Sequence, residues 1–241
     1  MTVSAPIPWK RLIAEATAIV ASILLAFSID AWWDSRIEDQ AESWLMRRLH
    51  ADFVEIMSGL VIVEDEHQKT IEAARRLLAI SRQGSVIPAS VENREAVGLV
   101  FLVSRTFNPG SGAVEAFLNN EPTKLVRNQQ LADLMIRWSA LVEELQEEEV
   151  QMQKGVSERW TPFLASRTDV EPYIRAVNPL FWDGLSGNQA FDETEPLAAD
   201  TEFRNHVLDR FKWQALAIRD LEPLKATGDE IVALLEEELN L

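Results

Sequence analysis

Residues 12–33, LIAEATAIVASILLAFSIDAWW, decide the fold. From Ala16 to Ile29 the stretch holds no charge, proline or glycine, and with its edges it reaches 22 residues. That is the length a helix needs to cross a hydrocarbon core roughly 30 Å thick. Trp9, Lys10 and Arg11 stand before it, while Trp32 and Trp33 close it. A basic flank on one side and interfacial aromatics at the ends predict a transmembrane helix over 12–33. A cleavable signal peptide is the competing reading, because Ala26-Phe27-Ser28 is a small-x-small sequence, but the apolar run is long for a signal core.

The anchor has two unlike sides. At about 100° per residue, Ile13, Val20, Ile23, Leu24 and Phe27 share a bulky surface suited to lipid. Ala14, Ala18, Ser22 and Ala26 recur every fourth residue on the other side and lead down to Asp30. Small residues at that spacing let a second helix come close, and close packing drives association where no hydrophobic force exists. Glu15 lies on the same side. A carboxylate costs about 2.5–3.5 kcal/mol at mid-membrane on insertion scales and less near the interface, so Glu15 is expected to face protein, water or a cation. Two readings stay open for it: a contact with a partner helix, or a reach back to the headgroups beside Lys10 and Arg11.

The chain of 241 residues, 47% of them hydrophobic, suffices for one anchor and one globular domain. Within 1–33 the charges of Lys10 and Arg11 cancel those of Glu15 and Asp30, so the whole net charge of −16 belongs to 34–241. A domain so acidic repels nucleic acid and anionic lipid headgroups and attracts basic proteins. The absence of cysteine excludes disulfides, thiolate metal sites and cysteine nucleophiles. Lys10 and Arg11 precede the anchor and Asp30, Asp34, Glu38 and Asp39 follow it, which predicts a cytoplasmic N-terminus and a domain on the far side of the membrane. Arg36, Arg47 and Arg48 weigh against that asymmetry.

In chain order, 1–11 form a cytoplasmic lead too short for a signalling module, 12–33 the anchor and 34–241 the acidic extracytoplasmic domain. Residues 34–83 contain no proline and carry Leu45, Leu49, Phe53, Ile56, Leu60, Val63, His67, Ala74 and Leu77 at three-and-four spacing, the stripe of a long helix continuous with the anchor. Gly84 and Pro88 end it. Ser90 caps a second segment whose Val97, Leu99, Val100, Phe101, Leu102 and Val103 are apolar nearly all round and predicted to be buried. Thr106 to Gly112 is a turn-rich loop leading into a short helix over 113–118. A second long helix is predicted from Thr123 to Arg167, and its run Glu143 to Glu149, with five acids, reads as a solvated face. Residues 169–196, rich in proline, glycine and aromatics, read as a long loop in which Trp182 is the candidate contact for a partner. Thr201 begins the last helix, with Phe203, Val207, Phe211, Leu216, Ile218 and Leu221 on its stripe and Pro223 as a candidate kink. The fold class is therefore all-α: an N-terminal transmembrane helix followed by an antiparallel bundle of long helices.

Motifs for chemistry are sparse. Glu64-Asp65-Glu66-His67 matches the Glu-x-x-His signature of carboxylate-bridged metal bundles, but that chemistry needs a second such motif. The residues three before His50 and His206 are Arg47 and Phe203. No nucleophile elbow or phosphate-cradling glycine loop is present. The expectation is a protein without catalytic residues, metal or cofactor. Trp138, Trp160 and Trp213 are expected in the core.

Arg11 to Arg36, RLIAEATAIVASILLAFSIDAWWDSR, resembles the opening of a large bacterial family of uncharacterised single-pass membrane proteins, in which a Glu precedes an apolar run ending in Ala, a polar residue and Trp. The likeness extends through Leu45, Leu49 and Phe53, and through Phe107-Asn108-Pro109 with Leu125 and Asn128, over residues 10–165. Asp30 and Ser22 depart from the Asn-rich ending and the anchor glycine of that pattern. The resemblance implies an anchored, all-helical extracytoplasmic domain and carries no known activity. The expected function is a structural or accessory subunit that packs against other integral membrane subunits, photosynthetic or respiratory, or against further copies of itself. A ligand-sensing helical domain is the alternative.

Overall fold

The structure, a computed structural model, describes residues 9–84, 86–110, 112, 114, 117, 128–178 and 196–241. Every regular element among them is helical: α1 (Trp9–Gln83), α2 (Val91–Phe101), α3 (Gln129–Lys154), a π turn (Gly155–Trp160), α4 (Thr161–Arg167), α5 (Glu171–Val177), a 3₁₀ turn (Pro196–Ala199) and α6 (Thr201–Leu239). By contacts the chain divides into two units, Met1–Arg48 and Leu49–Leu241.

The first unit is the N-terminal part of α1. The described side chains from Glu15 to Ala41 are all exposed, including Ile23 at 49% and Phe27 at 66%. By length and composition this helix is apolar enough to cross a membrane. Two of its hydroxyls are satisfied locally: Ser22 Oγ donates to the Ala18 carbonyl at 2.8 Å and Ser28 Oγ to that of Leu24 at 2.7 Å. Apolar surroundings tolerate a hydroxyl only when it is paired in this way. Trp32 and Trp33 lie 6.0 Å apart, and the Arg36 guanidinium sits 5.7 Å over the Trp32 ring.

The second unit holds the core. Leu49, Phe53, Ile56, Leu60 and His67 of α1 are buried at the predicted spacing. α3 buries Leu131, Trp138 and Leu145, and α6 buries Leu221, Leu224 and Ile231. Side-chain pairs set the register. His50, Glu64 and His67 meet Glu236, Lys225 and Gln214, so partners descend α6 as they climb α1. Asn128 and Glu148 likewise meet Glu238 and Arg219. Phe53 and His67 meet Trp138 and Glu149, rising together on α1 and α3. At the far end Phe101 stacks on Phe203 with centroids 5.1 Å apart and on Phe163 at 6.1 Å.

Several boundaries follow the sequence signals. α1 ends where Gly84 N–H bonds the Ile80 carbonyl at 3.0 Å. The Ser90 hydroxyl caps α2 by accepting from Asn93 N–H at 3.1 Å. Val97, Val100 and Phe101 are buried, while Leu99, Leu102 and Val103 are half-buried. Trp138 and Trp160 are core residues and Trp213 is half-buried.

Two expectations need correction. The helix predicted over 123–167 is described from Gln129, capped by Asn128, and widens into the π turn before α4. Pro162 lacks an N–H and so frees a carbonyl four residues earlier, and a wide turn absorbs that mismatch. Gly155 makes the turn possible, because a Cβ there would lie 2.6–2.8 Å from the Trp160 ring. The loop predicted over 169–196 contains α5, started by Asp169, whose carboxylate accepts from Glu171 N–H at 3.0 Å, and by Pro172 in its first turn. Residues 113, 115, 116 and 118 of the short helix, and Trp182, lie outside the described residues.

The glycines make the packing testable. A Cβ on Gly98 would sit 2.7 Å from the Tyr173 carbonyl oxygen and 2.6 Å from Val177, whereas one on Gly59 meets nothing within 4 Å. Gly98→Ala must push α5 off α2 and is expected to cost about 1–3 kcal/mol. Gly59→Ala is expected to stabilise by about 0.5–1 kcal/mol, from the helix preference alone. Urea denaturation of the two variants checks both signs.

Candidate functional site

α1, α3 and α6 place four polar side chains on their core-facing stripes: His67, Glu149, Arg210 and Gln214, each 1% exposed. Burial of these groups is costly unless each finds a partner. Gln214 sits between two of them. With its amide nitrogen toward the imidazole it donates to His67 Nδ1 at 2.5 Å, and its oxygen accepts from Arg210 Nη2 and Nε at 2.9 and 3.2 Å. This orientation gives both ends of the Gln214 amide a partner, and it puts the imidazole proton on Nε2, which faces Glu149 Oε1 at 3.7 Å. A negative and a positive group, both out of water, are thus joined through an imidazole and an amide.

The two ends of this chain grip one loop. Arg210 Nη2 donates to the Val103 carbonyl at 2.6 Å. Phe107 N–H donates to both Glu149 oxygens, at 2.8 and 2.9 Å. Thr161 adds a third tie, donating to the Phe101 carbonyl at 2.9 Å. The segment after α2 is therefore pinned by charge-assisted bonds from the bundle interior. Arg210 also lies 4.9 Å over the Trp160 ring, and burial pushes its guanidinium down to about 9, which leaves it charged at neutral pH. The cation over the indole face and the amide oxygen offset part of that desolvation.

The pinned loop walls an open groove. Thr106, Phe107, Asn108, Pro109 and Gly110 face Asp52, Glu55, Ile56, Gly59 and Val63 of α1 across about 330 Å³. The floor is apolar and the rim of α1 acidic. Among the described residues no group of three or more histidines and carboxylates is placed to hold a metal ion. His67 of the Glu-x-x-His sequence is occupied with Gln214 and faces Glu149.

A second polar feature lies on the neighbouring face of α3. Glu148 and Asp220 approach across the seam with α6, and desolvation, followed by the Asp220 carboxyl, pushes Glu148 up to about 7.

Of the residues singled out in the sequence, Trp9, Glu15, Ala18, Ser22, Ala26, Asp30, Trp32 and Trp33 are all exposed on α1. At Lys10, Arg11 and Ala14 only the backbone is described. The buried chain is made of other residues. Glu149 belongs to the run read as a solvated face, and that reading is corrected for this residue. Arg210 and Gln214 were missed, although they continue the spacing of Phe203 and Val207, and a polar residue on a core stripe is a readable signal. Compared with known protein families, curated proteins and solved structures, the chain finds no match.

The clamp predicts a graded loss. Gln214→Leu leaves His67 and Arg210 each short of a partner and is expected to cost about 2–4 kcal/mol. Glu149→Gln keeps an acceptor for Phe107 N–H and is expected to cost less than Glu149→Leu. Denaturant titration ranks the variants, and amide exchange at Phe107 should accelerate most in Glu149→Leu.

Proposed function

We propose that this protein is a non-enzymatic, single-pass membrane subunit whose domain braces or covers a larger membrane complex. The observation that carries the reading is the unbroken exposure of the uncharged apolar run from Ala16 to Ile29 on α1, a surface that water does not tolerate and that lipid and partner helices cover. Ile19, Val20, Ile23, Leu24 and Phe27 suit lipid, whereas Ala18, Ser22 and Ala26 on successive turns suit a neighbouring helix. The Ser22 hydroxyl is already spent on its own helix, which lets that side pack closely.

The finer reading places the N-terminus in the cytoplasm and 34–241 in the periplasm, as the charges flanking the anchor favour. The bundle is read as antiparallel, α6 running against α1 and α3, and the paired residue numbers support this. The resemblance to anchored bacterial proteins with helical outer domains fits the same picture. An energy-transducing complex, photosynthetic or respiratory, is the proposed host, since an acidic outer face attracts basic carriers. Ligand sensing is the second reading, favoured by the groove between α1 and the 106–110 loop. The groove is open, so the accessory role is preferred.

Ala18→Leu or Ser22→Leu, in native membranes solubilised with mild detergent, is expected to shrink the assembly and lose the subunits that co-purify with the wild type. Unchanged size and composition by native electrophoresis and mass spectrometry, or a mature chain beginning after Ser28, would overturn the proposal.

A further inference from the structure

Glu148 and Asp220 form a pair of carboxyls largely withdrawn from water. They reach toward one another from α3 and α6, with their side chains 18% and 10% exposed. A single cation serves both: Arg219 Nε donates to Asp220 Oδ1 at 2.7 Å, and Arg219 Nη2 lies 3.8 Å from Glu148 Oε1. One guanidinium, itself 62% exposed, faces two carboxyls. The other two oxygens, Glu148 Oε2 and Asp220 Oδ2, are buried and meet no donor among the described residues. The two carboxyls lie within hydrogen-bonding reach of one another, and with these oxygens buried and without a donor they repel as a pair of carboxylates. Added as a shared proton, a single hydrogen converts one into a donor and removes one negative charge.

We propose that Glu148 and Asp220 hold one proton between them, and that this proton is a latch closing the seam of α3 against α6. Its loss releases H⁺ to solvent, restores two facing carboxylates and pushes the helices apart. The charges that bear on the pair are few. Asp220 and Arg219 come from α6, and Glu144 lies one turn earlier on α3. On α1, His67 is turned to Glu149 and Gln214, and Glu64 to Lys225. Burial and the neighbouring Asp220 raise the Glu148 carboxyl from the ordinary 4.5 to about 7, so the switch falls near neutral pH. Because the folded chain holds this proton more tightly than the unfolded one, the stabilisation is complete below about 4.5 and is lost as pH rises through about 7. Glu149 is the next residue on α3, so opening of the seam also disturbs the clamp on Phe107.

The test uses the full chain in detergent, with thermal melting of the outer unit followed by the fluorescence of its buried tryptophans. The midpoint of the wild type is expected to fall by about 3–5 °C between pH 6 and pH 8 relative to Glu148→Gln, whose amide supplies the missing donor at any pH. Infrared titration of the wild type should show a protonated carboxyl band at pH 6 that fades by pH 8 and is absent from the variant. Equal pH slopes in wild type and variant, or no such band at pH 6, would sink the latch. Asp220→Asn provides the same comparison if Glu148→Gln does not fold, and the infrared titration of the wild type decides without either.

Discussion

A carboxylate with 1% of its surface exposed has to be answered from within the protein, and the Glu149 side chain organises the second unit around that demand. Ordinary hydrophobic packing would align three long helices equally well in several registers, since one leucine resembles the next. A buried charge does not permit that slippage: displacing α3 by one turn would strand Glu149 against aliphatic neighbours at a cost of several kcal/mol. The partners it finds fix other elements in turn. Phe107 N–H brings in the loop after α2, and His67 brings in α1 and, through Gln214, Arg210 of α6. The polar chain contributes definition of a single arrangement more than it contributes net stability, because its desolvation cost offsets much of the attraction it makes.

The exposed apolar stretch of α1, long and apolar enough to cross a membrane, answers a different constraint. Lipid supplies no hydrogen bonds, so a segment there must satisfy its polar groups along its own length. Ser22 and Ser28 do this through the carbonyls one turn back. Helix–helix recognition in such surroundings rests on dispersion and close approach, which is why a row of alanines carries more meaning there than on a soluble helix. The second unit buries its apolar stripe against its own helices; the N-terminal stretch of α1 leaves its apolar surface exposed.

Much of this was legible in the residues. The stripe Leu49, Phe53, Ile56, Leu60, His67 shows where α1 faces the core, and His67 sits on it in both the spacing and the structure. The Ser90 cap and the stop at Gly84 are local signals, and local signals survive tertiary context. The last helix was read less well. Choosing Phe211, Leu216 and Ile218 for its buried line followed hydrophobicity, yet these are half-buried, and the line runs through Arg210, Gln214 and Ala217 instead. Large apolar residues at the edge of a stripe outweigh polar ones at its centre in any reading by composition. Residues 169–196 misled for a related cause, since Pro172 breaks a helix in its middle but starts one at its first turn.

The acidic run on α3 shows why composition fails at the site itself. Glu147, Glu148 and Glu149 are the same residue three times over, but each step along a helix turns the side chain by about 100°. Glu147 is turned to solvent, Glu148 to the seam with α6 and Glu149 to the core. One meets water and is a solubilising charge, the next meets another carboxyl across a half-dry interface, and the third meets a backbone N–H and an imidazole. Their roles follow from dielectric and from the donors within reach, and both are properties of α1, α6 and the 103–110 loop rather than of the run. A glutamate's function in this bundle is therefore assigned by the helices it faces, and the sequence of α3 alone carries only the angle at which it faces them.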